Sequence, residues 1–161
     1  MSTPLPAIRK AEPSDRDRLI ALDSEVWDAS NTPRDPRPSV FSRVHFEEGR
    51  ILVAVEGGEL LGYVWIGRRT PFESNAHVRV IRSIAVSKAA RRVGLATRLL
   101  QAAEARMREA GARKSSLTVL STNAGAIALY ERNGYRLEGR LHGEYLLNDA
   151  LVDDLHFAKL L

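Results

Sequence analysis

The sequence predicts one α/β domain: a mixed, twisted sheet of about seven strands flanked by about four helices. Three observations carry this. Strand-type and helix-type patterns alternate in the order β-α-α-β-β-β-α-β-α-β-β. Two short turns, Gly57-Gly58 and Asn148-Asp149, join apolar runs into hairpins. A long amphipathic stretch from about Arg92 to Ala110 separates two apolar runs, the pattern of a crossover between parallel strands.

In chain order, Ile8–Ala11 reads as a short first strand. Asp15 is of the type that caps a helix, here from Arg16 through Leu19, Ile20, Leu22 and Val26 toward Trp27. The segment NTPRDPRPSV holds three prolines and must be loop. It could wall a pocket or be a rigid surface excursion, and a short helical turn with Val40, Phe41 and Val44 follows it. ILVAV, EGGE and LLGYVWI form the first hairpin. AHVRVIRSIAV reads as a fourth strand, solidly apolar at Ile84–Val86. The long helix places Val93, Ala96, Leu99, Leu100, Ala103 and Met107 on one face, and Gly111 ends it. SLTVL is the fifth strand, NAGAIALYERNG a short helix closed by Gly134, and YRLEGRL and DDLHFAKLL the last two strands.

Composition narrows the chemistry. The chain has 161 residues, 44% of them hydrophobic and 27% charged, a globular balance that needs no staple to fold. It contains no Cys, which removes disulfides, thiolate metal sites and thiol nucleophiles, and four His give a metal enzyme little support. No metal site is expected. The net charge of +4 suits one polyanionic small molecule. Aromatic residues are only 6% and acidic residues interrupt the basic ones, so a nucleic-acid partner is not expected. No apolar run approaches the length of a membrane span, and MSTPLPAIRK lacks the apolar core of a secretory signal. A cytoplasmic protein is the expectation.

The informative stretch is IAVSKAARRVGLA. A strand ends at Val86, a loop carries Lys88, Arg91 and Arg92, and Gly94 lies in the first turn of the long helix. Unpaired amides and the positive end of the dipole make that terminus attractive to an anion. Gly94 leaves the amides open to a phosphate, and the arginines add charge-assisted donors. Without a ligand the arginines oppose the dipole, so the other reading is a solvated basic turn. Neither GxGxxG nor GxxxxGK[ST] is present, which disfavours the common nucleotide folds. In the second constellation, Asn123 begins the short helix and suits an N-cap, while Ala126 and Tyr130, four apart, share a face. Tyr130 is either a packing residue or a hydroxyl aimed at the mouth of the sheet.

These segments resemble the GCN5-related N-acetyltransferase (GNAT) superfamily. Its acetyl-CoA motif is matched by Arg91-Arg92-Val93-Gly94-Leu95-Ala96 after the strand Ile84-Ala85-Val86. A later pattern is matched by Asn123, Ala126, Leu129-Tyr130 and Gly134-Tyr135. The opening IRKAEPSD is similar to the family's first strand and turn, so the resemblance spans 1–161 as one acetyltransferase domain.

The resemblance implies that acetyl-CoA is the cofactor and that its pyrophosphate lies on the Arg91–Ala96 amides, with Thr97 in the same turn. Ile84, Ala85 and Val86 would run beside the pantetheine, admitted by a splay between the fourth and fifth strands. Asn123 and Ala126 would border that arm, and Tyr130 would stand near the sulfur and protonate the leaving thiolate. The acceptor must attack as a neutral amine through a tetrahedral intermediate, so a carboxylate or ordered water has to take a proton. A backbone N–H near Val86 would hold the oxyanion.

One departure matters. Relatives that acetylate peptide termini often carry a glutamate base where Thr118 stands, and a hydroxyl is no substitute. Glu144 is then a candidate base, with Asp153 a weaker one; either could equally be a solvated edge-strand group. The ending HGEYLLNDALVDDLHFAKLL resembles that of members acting on small amines or free amino acids. Local acidic residues favour a cationic acceptor, whereas Arg34 and Arg37 in the Pro-rich loop could equally meet a carboxylate. The expected function is therefore acetyl transfer to a small-molecule amine. Acetylation of a protein terminus or lysine, and a non-catalytic acyl-CoA-binding module, stand as the alternatives. Family members are often homodimers, though no interface is specified by the pattern.

Overall fold

The computed structural model describes residues 5–28, 30–34, 39, 41, 46 and 49–161. Its regular elements are β1 (Ala7–Lys10), α1 (Arg16–Val26), β2 (Ile51–Glu56), β3 (Glu59–Arg68), β4 (Val78–Val86), α2 (Leu95–Glu109), β5 (Lys114–Leu120), α3 (Ala124–Arg132), β6 (Arg136–Leu147) and β7 (Ala150–Leu160). The strands form one seven-stranded sheet of order β1-β2-β3-β4-β5-β7-β6. All neighbours are antiparallel except β4 and β5. Both hairpin turns put two consecutive residues in the left-handed region: Gly57 (φ 57°) and Gly58 (φ 83°), then Asn148 (φ 49°) and Asp149 (φ 61°). That is the requirement of a type I′ turn, which glycine, Asn and Asp meet with least strain. No described helix is long and apolar enough to cross a membrane.

Each sheet face has its own core. On one face, Leu95, Leu99, Leu100, Ala103 and Met107 of α2 pack over Leu52, Val64, Ile81, Leu117 and Phe157. Truncating the fully buried Leu99 to Ala would cost about 2–5 kcal/mol, transfer and cavity terms together. The close fit explains Gly62, where a Cβ would meet Leu99 Cδ1 at 2.9 Å and the Ala85 carbonyl at 3.0 Å. On the other face, Leu19, Leu22 and Val26 of α1 cover Ile51, Val53, Tyr63 and Ala85. Phe41 joins them edge-on to Tyr63, ring centroids 4.8 Å apart. Val40 and Val44, expected beside it in a helical turn, lie outside the described residues, as does Arg37.

The structure corrects three local expectations. Asp15 stands at the α1 N-cap, but its carboxylate makes no cap bond there. It accepts both guanidinium N–H groups of Arg9, at 2.6 and 2.9 Å, and the Glu12 amide at 2.8 Å. The stronger, charged partner wins over the helix amides. Second, α2 begins at Leu95 rather than near Arg92, because Gly94 (φ 78°) and Arg92 (φ 67°) are left-handed. Its buried face therefore starts at Leu95, and Val93 is 63% exposed. Third, β6 runs past Leu141 to Leu147. The pairing with β7 skips between Leu141 and Tyr145, where Gly143 takes φ 58° and donates its N–H to Asp153. A bulge of this kind shifts the side-chain alternation that sequence reading follows.

The feature that matters for function is the short β4–β5 ladder. It has rungs from Val78↔Lys114 to Ile81↔Leu117 and no further. Yet β4 continues to Val86 and β5 to Leu120, so the two strands part. At the same level the β3–β4 register jumps from Trp65↔Ser83 to Ile66↔Ile81, leaving Arg82 unpaired. A bulge there adds twist and bends β4 away from its neighbour.

Candidate functional site

A cleft of about 930 Å³ opens where β4 and β5 separate. Beyond Ile81 the backbone of β4 has no partner strand on its β5 side. Side chains alternate across the opening. Ile84 and Val86 pack against the core beneath α2, whereas Ala85 belongs to the core beneath α1. The cleft thus passes through the sheet and has two dissimilar walls.

The first wall is the start of α2 together with α3. Gly94 is the α2 N-cap, and no side chain caps the helix. A Cβ built on Gly94 would meet nothing within 4 Å, so the glycine is demanded by its φ of 78° rather than by crowding. Arg92 and Gly94, both left-handed, bracket Val93, and such turns aim successive amides into a concavity suited to an anion. Arg91 is exposed and reaches back with Nε 3.5 Å from the Val86 carbonyl, at the limit of a hydrogen bond. Leu95, Ala96 and Thr97 also border the cleft, while Val93 does not. Uncapped amides, two flanking guanidiniums and open space fit the pyrophosphate of a coenzyme better than they fit an apolar ligand.

On α3, Asn123 is the N-cap: its Oδ1 accepts the Ala126 amide at 3.1 Å. Its capping role is therefore real, and it also borders the cleft beside Ala126. Tyr130 lines the cleft while being only 5% exposed, with its ring tilted against Tyr135 at 5.9 Å. Desolvation alone pushes its phenol up to about 12, so it keeps its proton at neutral pH.

The second wall comes from the end of α1 and from β4, β5, β6 and β7. Trp27, Asn31, Thr32, Pro33 and Arg34 border it, so the described part of the Pro-rich segment does wall the cleft. Behind them lies a buried polar chain. The Tyr63 hydroxyl donates to Asp23 Oδ1 at 2.7 Å, accepts from Trp27 Nε1 at 2.9 Å and lies 3.0 Å from Ser83 Oγ. Ser39 donates to the other Asp23 oxygen at 2.7 Å. Burial raises the Tyr63 phenol far above its ordinary range. This network locks α1 to the sheet and fixes Trp27 and Ser83 at the cleft.

Thr118 opens into the cleft from β5. Glu144 is exposed on β6 and does not border the cleft. Asp153 turns away, accepting from the Gly143 amide and Arg140, and these two donors keep its carboxyl low. The carboxylate that does border the cleft is Asp154, overlooked because alternation alone does not tell which Asp of an Asp-Asp pair faces in. The register shows it: Asp154 lies opposite Leu120 of β5. Among the described residues, no group of three His, Asp or Glu is placed to hold a metal ion.

Comparison with known proteins agrees with this geometry. The model of the acetyltransferase (GNAT) family matches residues 17–135. An L-methionine sulfoximine/L-methionine sulfone acetyltransferase of Pseudomonas aeruginosa is 29% identical over 143 residues, 84% of this chain and 83% of that protein. The solved structure of smu.2055 from Streptococcus mutans superimposes with a TM-score of 0.88 at 27% identity, covering 96% of this chain and 98% of that one. A phosphinothricin acetyltransferase from Sinorhizobium meliloti, solved with acetyl-CoA, shares the fold with a TM-score of 0.85 at 19% identity, covering 98% and 89%.

Proposed function

Because the chain belongs to the acetyltransferase (GNAT) family, we propose that it transfers the acetyl group of acetyl-CoA to the primary amine of a small molecule, in particular an α-amino acid. The observation that carries this reading is the parting of β4 from β5 beside an uncapped α2 terminus flanked by arginines. Acetyl-CoA supplies a thioester-activated acetyl group.

The chain's own residues divide the work. The amides from Gly94 to Thr97, with Arg91 and Arg92, hold the pyrophosphate. Asn123 and Ala126 border the pantetheine arm. The unpaired edge of β4 from Ser83 to Val86 offers backbone N–H groups to that arm and to the developing oxyanion. Tyr130, protonated and desolvated, delivers its proton to the departing sulfur. Trp27 and Ser83, fixed by the Tyr63–Asp23 chain, shape the acceptor side.

Arg34 supplies positive charge on the acceptor side and Asp154 supplies negative charge. A zwitterion with a carboxylate and an amine suits that pattern better than a polyamine does. The acceptors of the Pseudomonas relative, L-methionine sulfoximine and L-methionine sulfone, are such molecules and make natural first probes. The test incubates the protein with acetyl-CoA and L-methionine sulfone, L-glutamate, spermidine or an alanine-initiated peptide, following thiol release. Turnover fastest with an amino acid supports the reading. Preference for the peptide would move the function to protein acetylation, and acetyl-CoA binding without turnover would leave a binding module.

A further inference from the structure

The acceptor amine must shed a proton, and neither Thr118 nor Glu144 is placed to take it: one is a hydroxyl, the other does not border the cleft. Among the described lining residues the charged groups are Arg34, Arg82, Arg91, Arg92, Arg132 and a single carboxylate, Asp154. Asp154 is 6% exposed and pairs with Leu120 of β5, at the level where β4 and β5 have parted. Its Oδ2 lies 3.1 Å from His156 Nε2. His156 in turn faces Thr118 across the β5–β7 ladder and borders a second depression of about 380 Å³, whose rim includes the exposed Arg69 and Glu138. The Asp–His pair therefore joins the cleft to a second, solvent-open depression on the β5–β7 side.

Resting on the acetyltransfer reading, we propose that Asp154 is the proton acceptor of the reaction and that His156 relays the proton outward. The step balances simply. The amine nitrogen forms its bond to the acetyl carbon, one N–H proton passes to Asp154, the C–S bond breaks, and Tyr130 protonates the sulfur. Asp154 then returns to its carboxylate through His156, and Tyr130 regains a proton from solvent.

The surroundings suit a base rather than a permanently paired anion. Burial raises the Asp154 carboxyl above its ordinary value, and nearby Glu144 pushes the same way, while His156 pulls against both. The other groups toward it are Tyr145 of β6, whose phenol is itself raised by burial, and across the cleft Arg34. From β5 and β4 come only Thr118, Leu120 and Ser83, which do not titrate. Arg82 donates to the Arg68 carbonyl at 2.8 Å and lies over the Trp65 ring, so its charge is directed to the far side of β3.

The test measures kcat against pH at saturating acetyl-CoA, with the fastest acceptor of the four probes, for wild type, Asp154→Asn and His156→Gln. Asp154→Asn should lower kcat about 10²-fold and abolish the acidic limb, with the acetyl-CoA Kd unchanged. His156→Gln should keep the acidic limb but shift it to higher pH, because it removes the group that lowers the Asp154 carboxyl. A packing role would not move that limb. An Asp154→Asn enzyme within twofold of wild type and with the same profile overturns this inference alone. So does a His156→Gln profile that superimposes on wild type, for the relay. A wild type that neither binds acetyl-CoA nor releases thiol overturns the acetyltransfer reading and this inference together.

Discussion

The two walls of the cleft differ in where their polar groups find partners. On the acceptor side, the Tyr63 hydroxyl is engaged by Trp27, Ser83 and one oxygen of Asp23, and the other Asp23 oxygen accepts from Ser39. On the α2 side, the first-turn amides have no cap, and Arg91 has only a marginal bond to a carbonyl. One wall is finished by folding; the other is finished by its ligand. A satisfied buried network lends rigidity, whereas uncapped amides and exposed guanidiniums are held ready for an anion. Substitutions in the Tyr63–Asp23 network and at the α2 side should therefore fail in different assays, stability for the first and affinity or rate for the second.

The largest effect that sharpens this contrast is expected at Tyr130. Tyr130→Phe should lower kcat about 10²-fold while acetyl-CoA affinity and melting temperature stay close to wild type, since the ring still packs on Tyr135. Unchanged kcat when chemistry is rate-limiting would return the residue to the core. Next comes the same substitution on the opposite wall. Tyr63→Phe takes one of two hydroxyl donors from the buried Asp23 carboxylate and leaves the Trp27 N–H without its acceptor. Denaturant unfolding should show a loss of about 2–3 kcal/mol. A variant as stable as wild type would break the contrast from the structural side.

Arg91→Ala follows, with acetyl-CoA affinity falling roughly tenfold, the low end expected for a charge-assisted bond from an exposed side chain. Calorimetry reads it, and stability should not move. A pH effect belongs to Asp15, at the start of the helix whose far end forms part of the finished wall. Arg9 holds the Asp15 carboxyl below its ordinary 3.8. The contribution is thus complete above that value and is lost as pH falls through the lowered one. Urea midpoints of wild type should therefore drop on acidification below about 4 more steeply than those of Asp15→Asn. The smallest effect is Thr118→Ala, expected within about twofold of wild-type rate because a strand hydroxyl is no base at neutral pH.

The contrast also explains what could be read from sequence. Gly94 between arginines and a helix is a local pattern, and so are the turn residues Gly57-Gly58 and Asn148-Asp149; each depends on a few adjacent residues. The acceptor wall is assembled from segments far apart in the chain: Asp23 on α1, Tyr63 on β3, Ser83 on β4 and Asp154 on β7. No spacing reports that meeting. Glu144 and Asp153 are the carboxylates that sequence reading offers as bases; only the bulge between Leu141 and Tyr145 and the β5–β7 register bring out Asp154 as the one at the cleft. The start of α2 was misplaced because Arg92 adopts a left-handed backbone that its residue type does not advertise.

The claim that the α2 wall is completed by a coenzyme is tested most directly by calorimetric titration of the wild-type chain with acetyl-CoA, NAD and ATP, repeated on Arg91→Ala. Acetyl-CoA should saturate a single site, with NAD and ATP at least about tenfold weaker, and the Arg91→Ala chain should lose affinity for acetyl-CoA. NAD or ATP binding as tightly as acetyl-CoA, or an acetyl-CoA affinity indifferent to Arg91, would contradict it.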